Sequence, residues 1–153
     1  MKQTPEQKSI EANLQPGTIS ADGFLGDDTR NLTDIIRADQ AIVNRLSLSH
    51  QTIAARLREL TAKGRNGLGR PVLVDDHLEI IVEDYMGSIP CPFRDYTHFS
   101  KQLTTCKDKN SGRSIRWTDL NIHMIEVHGF YEGRGSPFRV EPADVGEILF
   151  QAF

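Results

Sequence analysis

Apolar residues in the N-terminal part of the chain recur three and four positions apart, which places them on one face of a helix. Ile10 and Leu14 form the first such pair. Leu32, Ile35 and Ile36 follow, then Ile42, Val43 and Leu46, then Ile53, Leu57 and Leu60. Boundary residues agree with the periodicity. Thr4-Pro5-Glu6-Gln7 has the residue types of a capping box with proline in the first turn, and Pro16-Gly17 ends that element. Ser49 is placed to cap a helix that Gly64 would stop. Residues 29–64 are therefore predicted to be all-helical. Residues 18–28 are predicted to form a loop, tucked against the core by Phe24 and Leu25.

After residue 70 the pattern becomes one of short alternating runs. Val72–Val74 and Leu78–Tyr85 read as a hairpin turning near Asp75-Asp76. Leu103, Thr105 and Cys106 lead into a DKNSG turn, and Ser114, Ile115 and Trp117 return as a second hairpin. Between the hairpins, residues 88–101 read as irregular, because Cys91 lies between Pro90 and Pro92. Thr118 as N-cap and Gly129 as stop frame a short helix that is apolar around most of its circumference, hence largely buried. The alternation of Leu120, Ile122 and Met124 also fits a strand; the cap and the stop favour helix. Glu141-Pro142-Ala143-Asp144 opens a last helix with Val145, Ile148, Leu149 and Phe153 toward the core.

The fold class that follows is α+β in a single domain, residues 1–153. A helical part of about 1–64 lies beside two antiparallel β-hairpins, followed by two helices; the hairpins and the C-terminal site part occupy about 71–153. A chain of 153 residues can bury a core of its own. The net charge of −3 gives no global attraction to nucleic acid or an anionic membrane. Two cysteines are too few for a disulfide framework, the first fifteen residues are too polar for a signal peptide, and no apolar run is long enough to span a membrane. A cytoplasmic location is expected.

Three sets of side chains carry candidate chemistry in the C-terminal part. Cys91, Cys106, His123 and His128 have the residue types of tetrahedral zinc, which makes Zn the candidate cofactor, and the four residues between the two histidines fall within the zinc-finger range. In a straight helix, however, His123 and His128 point well apart, so they share one metal only if the helix ends between them. Asp119, His123 and Glu126 fall on one helical stripe and are the candidate catalytic residues, since carboxylates flanking an imidazole suit acid/base or metal chemistry. The loop from Gly129 to Arg139 is the candidate site for a small anionic ligand. Gly133, Gly135 and Ser136 would expose backbone amides, and Arg134 and Arg139 would grip a carboxylate or phosphate. No Ser–His–Asp or Cys–His arrangement is readable, so the sequence leaves open whether the protein is an enzyme.

The run from Ala41 to Gly64 resembles the helix-turn-helix of winged-helix regulators. Ile42, Leu46, Leu48, Ser49, Thr52, Ile53, Leu57, Leu60 and Gly64 fall where that pattern wants them. The resemblance covers about a sixth of the chain. It implies nucleic acid as a partner, met by His50, Gln51, Arg56 and Arg58 of the third helix, in a region made locally basic by Arg45, Lys63, Arg65 and Arg70. Ligand binding at 119–139, DNA binding through 41–64 and a protein-interaction module are thus the three functional readings.

Overall fold

A computed structural model describes residues 3–151. Five helices and four strands form one α+β unit: α1 (Pro5–Asn13), α2 (Leu32–Arg45), α3 (His50–Arg65), β1 (Val72–Val74), β2 (Leu78–Pro90), β3 (His98–Asp108), β4 (Ser114–Thr118), α4 (Asp119–His128) and α5 (Pro142–Leu149). The strands make one antiparallel sheet in the order β1-β2-β3-β4. The two expected hairpins are therefore joined into a single meander through β2 and β3. No helix among the described residues is long and apolar enough to cross a membrane. Phe153, expected to face the core, lies outside the described residues.

Local sequence explains most of the helix ends. The Thr4 hydroxyl accepts from the Gln7 amide while the Gln7 side chain accepts from the Thr4 amide, a complete capping box. Ser49 caps α3 through the Thr52 amide. Thr118 and Asn121 make a second reciprocal box at the start of α4, and Gly129 ends that helix in the left-handed region at φ 64°.

Two elements differ from expectation. The segment 88–101 is not all irregular: Ser88, Ile89 and Pro90 pair with Ser100, Phe99 and His98, after a register shift between Tyr85 and Ser88. Pro90 is tolerated because it is the last residue of its strand. Gly64 does not stop α3, which continues to Arg65. It lies where the helix presses on β2, and a Cβ there would stand 2.6 Å from Ile80 Cγ2 and 2.7 Å from Val82 Cγ2.

The interior has two parts. The larger is built from Ile53, Leu57 and Leu60 of α3 against Ile80, Val82, Cys106 and Trp117 of the sheet, with Ile122 and Ile125 of α4. Inside it the Trp117 indole donates to Thr61 Oγ1 at 2.8 Å, and Thr61 and Thr104 hydroxyls meet at 3.0 Å, so the polar atoms at this contact are partnered. The smaller part joins Ile10 of α1, Leu14 at its C-cap, Phe24, Leu25 and Cys91 to Leu120 and Met124 on the other side of α4, with Phe130. α4 thus contributes to both halves, as does α2 through Val43 on one side and Leu32 and Ile35 on the other.

The close approach at Gly64 gives a stability prediction. The methyl groups it would meet belong to β-branched side chains with little freedom to turn away. Gly64→Ala is expected to destabilise the fold by about 1 to 3 kcal/mol, despite the better helix propensity of alanine. Urea unfolding of the two proteins measures it, and equal or greater stability of the variant would contradict this packing.

Candidate metal centre

The site forms where the loop between β2 and β3 crosses the C-terminal half of α4. The loop is closed by its own backbone: the Cys91 amide donates to the Thr97 carbonyl at 3.0 Å. Two non-glycine residues inside it, Arg94 and Tyr96, are left-handed, each with φ of 63°. Between them stands Asp95. One of its oxygens, Oδ1, accepts from the Thr97 hydroxyl at 2.6 Å and the Thr97 amide at 3.1 Å. The other, Oδ2, lies 2.6 Å from His123 Nε2 and 2.8 Å from His128 Nε2. One oxygen is used to hold the side chain, and the other is aimed at both imidazoles.

Ring packing fixes those imidazoles. Phe93 stacks on His128 with centroids 4.1 Å apart and planes 7° from parallel. Phe99 covers His123 at 4.7 Å. The two histidine rings stand 5.4 Å apart, close to perpendicular. The expectation that they point apart on a continuous helix does not hold. His128 is the last residue of α4, and its ring, held by Phe93, reaches the same carboxylate oxygen as His123. With Cys91 the group is complete: one donor atom from each of Cys91, Asp95, His123 and His128 lies within 4.8 Å of all the others. This group could hold a metal ion.

The electrostatics are those of a partly buried, tightly partnered cluster. Burial opposes the Asp95 charge, yet hydrogen bonds from Thr97, His128 and His123 outweigh it and hold its carboxyl well below the usual range. Burial pushes the Cys91 thiol up to about 12, with the Phe93 amide pulling the other way and the Asp95 charge adding to the rise.

Cys106, the fourth member of the expected tetrad, is elsewhere. It is fully buried on β3, paired in register with Ile80 and Ile115, and belongs to the core under α3. Burial pushes its thiol up to about 12 as well. Asp95 takes its place, and nothing in the spacing of the sequence marked it: a single Asp beside Tyr96 in an irregular loop reads as a turn residue. The signal that could have found it is Cys-x-x-x-Asp opposite His-x-x-x-x-His, once aspartate is admitted as a zinc ligand.

The other expected site residues fall outside this cluster. Asp119 and Glu126 line a cleft of about 410 Å³ with His123, Arg58 and Arg65, so the polar stripe of α4 does face a cavity. There Asp119 accepts from Ser100 at 3.2 Å, and Glu126 receives both Arg58 terminal nitrogens at 3.1 and 3.2 Å. Burial raises the Asp119 carboxyl.

Apart from the exposed Arg134 side chain, the loop of Gly133 to Arg139 directs most of its donors into the protein. The Gly133 amide goes to the Phe24 carbonyl, the Arg134 amide to Asp28 Oδ2 and the Ser136 amide to the Gly133 carbonyl. Gly135 packs against Asp27, whose Oδ1 would stand 2.5 Å from an added Cβ. Arg139 places all five N–H donors on Asp39, Glu141 and the Glu132 carbonyl, so its guanidinium has none left for an anion.

On α3, His50 uses both ring nitrogens, toward Tyr131 Oη at 2.8 Å and Gln40 Oε1 at 2.6 Å. Gln51 donates to the Glu126 carbonyl, and Arg56 binds Glu59 and Asp75. The residues expected to face a duplex are therefore engaged with α2, α4 and the loop after it, the β1–β2 turn and Glu59 of their own helix.

No protein-family model, no curated protein and no solved structure matches the chain.

Away from the cluster, Glu132 is buried, and burial raises its carboxyl to about 7 against the pull of hydrogen bonds from Ser136 and Asn121 and the charge of Arg139. The folded state thus keeps this proton where the unfolded chain has lost it. The stability contributed by protonated Glu132 is full below the ordinary value of 4.5 and is lost as pH rises toward 7. Glu132→Gln should remove a pH-dependent loss of up to about 3 kcal/mol between pH 5 and pH 8. Denaturant unfolding of both proteins at the two pH values checks this. Parallel pH profiles for the two proteins would refute it.

Proposed function

We propose that this protein binds one zinc ion through Cys91 Sγ, Asp95 Oδ2, His123 Nε2 and His128 Nε2, and that the ion is structural. The observation that carries this reading is the convergence of those four donors within 4.8 Å. One sulfur, two imidazole nitrogens and a carboxylate oxygen suit zinc rather than magnesium or calcium, which prefer all-oxygen sites. Four protein ligands complete a tetrahedron and leave no open position for substrate, the mark of a structural rather than a catalytic zinc. At zinc-ligand bond lengths the edges of that tetrahedron measure about 3.3 to 3.8 Å, so binding would open the 2.6 and 2.8 Å contacts to Asp95 and draw donors as far as 4.8 Å apart closer by roughly 1 Å.

The reading also explains what surrounds the cluster. Thr97 holds Asp95 by its other oxygen, the arrangement by which ligating carboxylates are oriented. The Phe93 amide points to the Cys91 sulfur and favours its thiolate, the form that binds metal. The loop carrying Cys91 and Asp95 is short, with two left-handed residues. An ion shared with α4 would fix it.

Elemental analysis of protein purified without added metal is expected to find about one zinc per chain, and a strong chelator is expected to lower the unfolding temperature. Cys91→Ser and His128→Ala should lose the metal, whereas Cys106→Ser should retain it in full. Thr97→Val should weaken zinc binding by about 10- to 100-fold while leaving all four ligands present. Metal-free protein whose unfolding is indifferent to chelator and to added zinc would overturn the proposal.

A further inference from the structure

A cavity of about 420 Å³ lies apart from the metal cluster, between residues 20–24, the far ends of β2 and β3, and the loop after α4. Its volume falls in the range of small-molecule sites, roughly 300 to 1,000 Å³. Phe24, Leu103, Leu120 and Phe138 give it an apolar lining. Into that lining is set Glu132, only 3% exposed. Its Oε2 accepts from Asn121 Nδ2 at 2.7 Å and its Oε1 from Ser136 Oγ at 2.6 Å.

Two hydrogen bonds use half of what a carboxylate can accept, about four. The nearby cation does not supply the rest, since Arg139 binds the Glu132 carbonyl and two other carboxylates, not the Glu132 side chain. Glu132 is moreover left-handed at φ 72°, a conformation that costs free energy in a residue with a side chain and that concentrates at ligand sites. A carboxyl group held in an apolar wall at such cost suits a partner whose own positive charge would stabilise its ionised form.

The opposite charge is also present. Lys101 and Arg116 line the same cavity, and Arg116 is held in place by stacking on Phe138, 4.7 Å from the ring centroid, and by donation to the Pro137 carbonyl. We propose that this cavity binds a small zwitterion with an apolar body, of the class of aromatic α-amino acids. The ammonium meets Glu132, the carboxylate meets Arg116 and Lys101, and the body fills the space between Phe24, Leu103, Leu120 and Phe138. The proposal is independent of the zinc reading, because the cavity shares no residue with the cluster.

Titration calorimetry of the full chain with L-phenylalanine, 2-phenylethylamine and phenylacetate tests it. L-Phenylalanine is expected to bind with one-to-one stoichiometry and saturation in the millimolar range or below. The two half-ligands, each lacking one charge, should bind about tenfold or more weakly, the scale of one lost charge-assisted hydrogen bond. Glu132→Gln keeps the side chain's shape and should weaken L-phenylalanine by a similar factor, while Arg134→Ala, outside the lining, should leave it unchanged. Leu103→Trp, which fills the cavity from the sheet side, should abolish binding. Absence of binding by all three probes would overturn the proposal. So would phenylacetate binding as tightly as L-phenylalanine, or binding unaffected by both Glu132→Gln and Leu103→Trp.

Discussion

The contact on which the site rests is a single carboxylate oxygen, Asp95 Oδ2, lying 2.6 and 2.8 Å from two imidazoles that a straight helix would send in different directions. Everything near it is arranged to keep that oxygen in place. Thr97 holds the other half of the carboxylate, Phe93 and Phe99 press on the two rings, and the Cys91 amide closes the loop through the Thr97 carbonyl. Without an ion, three polar groups and a thiol share a partly buried space, and their partnership has to offset the cost of removing them from water. With one, the same atoms would become ligands and tie the loop to the helix.

α4 is what lets that local contact matter to the whole molecule. Ile122 and Ile125 belong to the core between α3 and the sheet, and Leu120 and Met124 to the core under α1. Its capping box starts it directly at the end of β4, so its register against the sheet is fixed by Thr118. Its polar stripe cannot face either core; it faces the loop, through His123, and α3, through Glu126 and Arg58. The two histidines of the cluster are therefore carried on a helix that cannot shift without disturbing both cores.

How much of this could be read beforehand follows the range of the interactions. Helix ends set by side chains three residues away, as at Thr4, Ser49 and Thr118, are visible in the sequence because cause and effect are adjacent. The α+β class and three of the four cluster residues were likewise legible, the latter because cysteine and histidine have few ordinary reasons to be paired. Asp95 was not, since an aspartate in a loop has many. Gly64 was misread as a helix stop because its reason for being glycine lies on β2. Arg139 was expected to meet a ligand; its partner is Asp39, a hundred positions away in the sequence, and no local pattern announces such a pair. The cavity around Glu132 was invisible for the same reason, as its walls come from five separate segments.

X-ray absorption at the zinc edge of the purified protein tests the central claim most directly, because it reads the ligand atoms rather than a consequence of binding. The account predicts a four-coordinate ion with one sulfur at about 2.3 Å and three nitrogen or oxygen neighbours at about 2.0 to 2.2 Å, with the outer-ring scattering of two imidazoles. A shell with no sulfur, with two sulfurs, or with six light-atom neighbours would contradict it.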